Sequence, residues 1–455
     1  MIRLFFKGLA LLALCSWLNA FAASNAPAPA APPPKASTAN DSPQPPGVNS
    51  KLPPRLPLNE LRVFAEAFDR ISSAYVEKID DRTLLEHAIK GMLAELDPHS
   101  AYLDKKDFED LQENTTGNYG GLGLEVGMDN GFVRVISPMD GTPAAKAGIK
   151  PGDLIVKLDG KPVKGMSLSD AIDSMRGKPG SEIKLTIMRE GEDAPREVTL
   201  TREIIKVPSV RSKVLEPGYG YIRIAQFQSG TGKEVKEAVT TLMDKGKLKG
   251  LVLDLRNNPG GVLQAAVDVA DTFLSSGLIV YTKGRIPNAD LKFSASTPDM
   301  TKGVPLVVLV NEGTASASEI VSGALQDHKR AIIMGVRTFG KGSVQTILPL
   351  DNDRAIKLTT ALYFTPNGRS IQAEGIVPDV WVDESKVTPA KANPFWIKER
   401  DLPGHLSNAN GMKAPNVKQE EAKEKKADKL AETDYQLNEA LILLKGLSIF
   451  GAKAG

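Results

Sequence analysis

Two apolar runs, G-L-V-L-D-L at 250–255 and V-P-L-V-V-L-V at 304–310, constrain this chain more than any other feature. They are the length of strands rather than of helices, and a strand apolar on nearly every residue reads as buried. Around them the pattern alternates. Residues 221–227 read as a strand, 233–242 as a helix with apolar positions at 235, 238, 239 and 242, and 262–274 as a further helix. A helix over 316–329 and strands near 331–335 and 354–364 follow. From Tyr219 onward, strands and helices therefore alternate as in an α/β domain.

The preceding stretch is different. From about 119 to 204, short strands are punctuated by glycine, with helical pieces at 143–147 and 168–175. Their order resembles a PDZ domain, above all in P-A-A-K-A-G-I-K-P-G-D-L-I at 143–155. Within it, Gly121, Leu122, Gly123 and Leu124 open a strand. A glycine pair there is ordinary turn chemistry; in a PDZ domain it is the loop whose amides capture a peptide carboxylate while the peptide adds as a strand. Upstream, Leu61, Phe64, Ala65, Phe68 and Ile71 recur at helical spacing, and a second helix is expected over 82–96.

The ends are of other kinds. Residues 1–23 read as an export signal, with Arg3 and Lys7 before an apolar run and small residues at Ala20, Ala22 and Ala23. Loss of those two cations, with no acid beside them, takes the formal charge from +2 to 0, so nothing in the charge balance asks for a nucleic-acid partner. Cys15, the only cysteine, lies in that signal. The mature chain is thus expected to lack disulfides, a cysteine nucleophile and any zinc–thiolate site. Residues 24–58 are rich in alanine and proline and read as a stiff spacer. Near the other end, 418–429 is highly charged, and Leu437, Ala440, Leu441 and Leu444 mark an amphipathic helix suited to docking on its own domain or on a second subunit. The expected organisation is a signal at 1–23, a spacer at 24–58, a helical region at 59–117, a PDZ domain at 118–205, an α/β core at 206–385, and a charged segment with a terminal helix at 386–455.

The chemistry centres on N-E-G-T-A-S-A-S-E-I at 311–320 and T-F-G-K-G-S-V-Q at 338–345. Ser316 with Glu319 fits an S-x-x-E capping box, so the serine has a purely structural explanation. A helix start also offers free N–H groups to an oxyanion, which suits a nucleophile equally well. Lys341 has a solvated-loop reading beside a catalytic one: a lysine acts as general base only when burial keeps it neutral. The stretch G-V-R-T-F-G-K at 335–341 approaches a P-loop, but Gly342 stands where Ser or Thr should hold magnesium, and a strand follows instead of a helix. The four histidines, at 87, 99, 328 and 405, share no metal spacing, and no metal site is expected. In D-L-R-N-N-P-G-G at 254–261, the glycines are either a simple turn or a backbone approach to a substrate carbonyl.

Together these segments resemble the carboxyl-terminal processing proteases, S41-type serine peptidases with a PDZ domain. The likeness includes D-P-H-S-A-Y-L at 97–103, A-L-Q-D-H-K-R-A at 324–331 and T-P-N-G-R-S-I-Q-A-E-G-I-V-P-D at 365–379, and spans nearly everything past the spacer. It implies a PDZ domain placed before an α/β serine-protease core, with helical regions at both ends. It also implies Ser316 as nucleophile, Lys341 as general base and Gln345 as the residue orienting the lysine. Gly260, Gly261 and Ala317 would be oxyanion donors, Ser318 would not be the nucleophile, and Arg176 would sense ligand. By the same resemblance no cofactor is needed, the protein acts in the bacterial periplasm or cell envelope on protein C-termini, and some members use an activating adaptor lipoprotein. The terminal helices suggest a homo-oligomer. A catalytically silent PDZ scaffold is the alternative, and it would have no use for Ser316, Lys341 and Gln345 together.

Overall fold

The computed structural model describes residues 57–286, 289–386, 399, 402–406 and 429–454. The export signal, nearly all of the Ala/Pro-rich spacer and the charged stretch 418–428 lie outside them. The chain divides into two units, 1–76 and 77–455. In the first, α1 (Leu58–Ala74) buries none of its residues, and Glu66 and Arg70 pair one turn apart at 2.7 Å.

The second unit opens with α2 (Asp81–Ala94), capped by the Asp80 carboxylate on the Thr83 N–H at 3.0 Å. After β1 (Ala101–Leu103) comes α3 (Lys105–Thr116). Asp104 starts that helix by accepting the Asp107 N–H at 2.9 Å, and Gly117 ends it at φ 70°. A two-stranded neck of β2 (Asn118–Gly121) and β9 (Glu203–Lys206) then brackets the PDZ fold. That fold is an antiparallel sheet of β3 (Leu124–Asp129), β4 (Phe132–Pro138), β5 (Leu154–Leu158), β6 (Lys161–Pro162), β7 (Glu182–Met188) and β8 (Arg196–Thr201). Short α4 (Pro143–Lys146) and α5 (Leu168–Met175) lie where the glycine-punctuated pattern put helices, and the Ser167 hydroxyl caps α5 on the Asp170 N–H at 3.1 Å.

The core sheet runs β10 (Val210–Glu216), β11 (Tyr219–Ile224), β12 (Gly250–Asp254), β15 (Leu306–Val310), β16 (Ile332–Gly335) and β19 (Val380–Trp381), parallel from β11 onward. Side chains alternate between two buried layers, which is why the two apolar runs are continuous. Ile222, Leu251, Leu253, Leu306 and Val308 face α6 (Thr231–Asp244), α7 (Leu263–Phe273) and α8 (Ala317–Asp327). Tyr221, Val252, Val307 and Leu309 face the terminal helix α9 (Tyr435–Ala454), whose Leu437, Ala440, Leu441 and Leu444 are all buried. The amphipathic pattern at the end of the chain thus docks on its own domain.

A second sheet is built around β18 (Arg354–Phe364). It pairs with β17 (Ser343–Leu350), with β1 and with β13 (Leu278–Gly284), which carries β14 (Lys292–Ser294). No helix among the described residues is long and apolar enough to cross a membrane.

Candidate active site

Three neighbouring parallel strands, β12, β15 and β16, end at one edge of the core sheet, the edge where open α/β sheets bind ligands. The loops leaving them carry the candidate residues: Gly260 and Gly261 after β12, Ser316 after β15, Lys341 after β16. A cavity of about 380 Å³ is lined by Gly261, Ser316, Ala317, Lys341, Gln345 and Tyr363, among others.

Ser316 stands between strand and helix at φ 56° and ψ −114°, a conformation strained for any residue with a side chain. A sharp strand-to-helix turn of this kind lifts a hydroxyl out of the sheet edge. Gly260 has to be glycine, since a Cβ there would lie 2.7 Å from Ser316 Cβ and 2.9 Å from the Ala317 nitrogen. Gly261, at φ 139°, backs onto the Phe227 carbonyl, where a Cβ would come within 2.1 Å.

The two loops are stitched together by buried amides. Asn258 donates to the Ile224 carbonyl at 2.9 Å and accepts the Gly260 N–H at 2.9 Å, while its own carbonyl accepts the Ala315 N–H at 2.9 Å. The Gly260 amide is therefore already engaged, and the oxyanion set narrows. The N–H groups of Gly261 and Ala317 have no hydrogen-bond partner among the described residues. Ser318 is fully buried and donates to the Asn258 carbonyl at 3.1 Å, which gives a physical reason against it as nucleophile.

Sequence reasoning took Glu319 only as a cap. The structure gives it more to do. Its fully buried carboxylate accepts the Ser316 N–H at 2.8 Å and the Lys341 N–H at 2.9 Å on one oxygen. Its other oxygen takes the Gly340 N–H at 2.8 Å and the Thr338 hydroxyl at 2.5 Å. One acceptor atom thus holds the main-chain nitrogens of Ser316 and Lys341 within about 6 Å of each other. Burial pushes the Glu319 carboxyl above the usual range, opposed by these four donors. An acid at the third position of a helix whose neighbouring positions are small or apolar is the sequence signal for that role.

Burial holds the Lys341 ammonium below the usual lysine range; Lys357 reinforces this and Asp97 opposes it. The Tyr363 hydroxyl donates to the Lys341 carbonyl and lines the same cavity as Ser316. Burial and the Glu319 charge raise Tyr363 well above the ordinary tyrosine value, so it stays a hydroxyl. Nothing in A-L-Y-F distinguished it from a plain strand residue. Gln345 also lies in the cavity wall, but its amide nitrogen donates to Ser343 Oγ at 3.0 Å and Thr359 Oγ1 at 3.3 Å, and no hydrogen bond joins it to Lys341.

Two supports lie further out. Arg256 bonds Asp254 at the end of β12 at 2.7 Å, and Asp434 at 2.7 Å and Gln436 at 3.1 Å at the start of the terminal helix. In the PDZ fold, Gly121, Leu122, Gly123, Leu124 and Arg176 line a groove of about 210 Å³. Arg176 reaches from that groove to Glu113 on α3 at 3.1 Å and lies over the Tyr119 ring. Because Leu111, Asn114 and Thr115 of α3 also line the cavity that holds Ser316, one helix touches both places. Among the described residues no cluster of three or more His, Cys, Asp or Glu side chains is placed to hold a metal ion.

A serine on a strained turn, unengaged amides beside it and a half-buried lysine are the parts acyl transfer requires. The peptidase family S41 model matches residues 218–382, a PDZ model 120–200, and the model of the activating protease CtpB N-terminal domain 26–107. The chain belongs to the carboxy-terminal-processing proteases of peptidase family S41. It is 46% identical over 394 residues to the carboxy-terminal-processing protease of Bartonella bacilliformis, covering 85% of this chain and 88% of that one. It is 38% identical over 317 residues to the carboxy-terminal processing protease CtpA of Bacillus subtilis, covering 69% and 67%. Among solved structures, a photosystem II D1 C-terminal processing protease is 37% identical with a TM-score of 0.43, covering 71% of this chain and 93% of that one.

Proposed function

We propose that this chain is an exported serine endopeptidase that cuts proteins near their C-termini with a Ser316–Lys341 pair. The observation that carries the reading is the single Glu319 oxygen that clamps the backbones of both residues. Neutral Lys341 takes the Ser316 proton as Oγ attacks the scissile carbonyl, and the oxyanion is met by the N–H groups of Gly261 and Ala317. The lysine then gives its proton to the leaving nitrogen, and in the second half it activates the water that releases the acyl group. Gln345 acts as a wall of the site that helps place Lys341. The PDZ groove holds the substrate tail at Gly121–Leu124, and Arg176 passes its occupancy to the cavity through α3.

Action in the bacterial periplasm or cell envelope, an activating adaptor lipoprotein and self-association through the terminal helices complete the proposal. Ile442, Ile449 and Phe450, exposed on α9, support the last of these. Nothing in the site favours a silent scaffold, which would not need a strained serine beside a half-buried lysine.

The test is mass spectrometry of an unfolded protein with an apolar C-terminus after incubation with the enzyme. Fragments ending near the original C-terminus are expected. Cuts scattered evenly along the chain, or none even with a candidate adaptor present, would overturn the reading. A pH profile tests the base separately. Lys341 works when neutral and its pKa lies below the ordinary 10.5, so kcat/KM should rise with pH through that depressed value and fall on acidification. A flat profile, with chemistry limiting, would remove Lys341 from the role.

A further inference from the structure

We propose that Lys357 is a carboxylate subsite on the leaving-group side of the cleft, holding the substrate's terminal α-carboxylate and thereby fixing the length of the fragment released. The inference rests on the protease reading above. Lys357 lies on β18, where the register sets it opposite Ile347, two pairs beyond Gln345 and Thr359. Ser343, Val344, Gln345, Ile347 and Lys357 all line the same cavity as Lys341, across a bulge between Val344 and Gln345, so they form a wall leading away from Lys341.

This half-buried cation has no carboxylate within 4.0 Å and no hydrogen bond among the described residues. Asp97, the acid whose field reaches the site, is already engaged by the N–H groups of His99 and Ser100 and the hydroxyls of Ser100 and Thr359. Lys341 and His99 are the other basic groups facing this region, and both feel the Lys357 charge as a repulsion. A partly desolvated cation without a carboxylate partner favours an anionic occupant.

The chemistry assigns which anion. The base must return its proton to the leaving nitrogen, so the wall beyond Lys341 flanks the leaving fragment, and that fragment carries the substrate's C-terminus. From Ser343 to Ile347 the strand advances by about 13 Å, the span of about four extended residues. One chain end cannot occupy the PDZ groove and Lys357 together, so the two sites hold it in succession: the groove at capture, Lys357 at the cut.

The test uses internally quenched peptides carrying three or so residues after the cleaved bond, made as the free acid and as the C-terminal amide. The wild type is expected to favour the acid by about tenfold in kcat/KM, Lys357→Met to bring the ratio near one, and Lys357→Arg to keep it. An acid preference that survives Lys357→Met would overturn the proposal, because the carboxylate is then read elsewhere. A Lys357→Met enzyme with an intact ratio and a shifted pH limb would likewise reduce Lys357 to an influence on Lys341. If acid and amide are cut equally by the wild type, while a glutamate in the fragment accelerates cleavage over glutamine, the occupant is a side-chain carboxylate and the terminal one is excluded. Failure of the wild type to cut any peptide strikes the protease reading itself, and the subsite with it.

Discussion

Ser316→Ala is expected to lower kcat/KM by about ten thousandfold to a millionfold, while binding of a C-terminal peptide to the PDZ groove is retained. The loss is that large because no other hydroxyl is placed to substitute. Ser318 is buried and bonded to the Asn258 carbonyl, and Tyr363 is held under the Lys341 carbonyl. Alanine keeps the Cβ that makes the turn costly, so the folded state should gain little. Ser316→Gly removes that Cβ at φ 56° and is expected to be equally inactive, yet more stable by about 1 kcal/mol in urea unfolding. Measuring both variants separates the chemistry from the strain. An active Ser316→Ala enzyme would move the nucleophile elsewhere, and an unchanged unfolding midpoint in Ser316→Gly would mean that the turn is not strained.

Glu319→Gln is the second large effect. The substitution preserves size and removes one charge, but it replaces an acceptor oxygen with an amide donor amid four groups that all donate. At least one buried N–H is then left facing another, at about 1–3 kcal/mol for each unpaired group. A loss of about 3 kcal/mol in stability and about a hundredfold in kcat/KM is expected, since both catalytic backbones lose their common anchor. The pH profile of the residual activity should change as well, because the Lys341 backbone no longer has a fixed position. Wild-type activity together with a wild-type unfolding midpoint would show that the clamp is dispensable.

Much of this architecture was legible in the sequence because the physics is local there. The strands β12 and β15 are apolar on nearly every residue because helices cover both faces, and α9 carries its buried stripe at helical spacing. The second sheet was largely hidden. Strand β13 finds its partner β18 only after the α/β core has intervened, and neither carries the pairing in its own composition. Helix α3 falls inside the stretch 59–117 expected to be helical but did not stand out as a separate helix: Phe108 and Leu111 are its only large apolar residues, so periodicity had little to register, although Asp104 and Gly117 mark its ends. At the site, residue type and order brought out Ser316 and Lys341. They could not indicate that the Gly260 amide is taken by Asn258, that the Gln345 amide turns to Ser343 and Thr359, or that Tyr363 lines the same cavity as the serine. Those depend on side-chain direction, which spacing along the chain does not encode.

The contact between Arg256 and Asp434 has a consequence in time. The two residues are 178 positions apart, and the later one, with its helix, braces the loop that presents Gly261. A ribosome adding about 5–20 residues per second needs on the order of 10 to 35 seconds to cover that interval. Over the last 93 residues of it, on the order of 5 to 20 seconds, the nascent chain contains Ser316 and Lys341 but lacks the brace. The loop that presents Gly261 therefore gains its contact with Asp434 only after the segments carrying Ser316 and Lys341 have been synthesised.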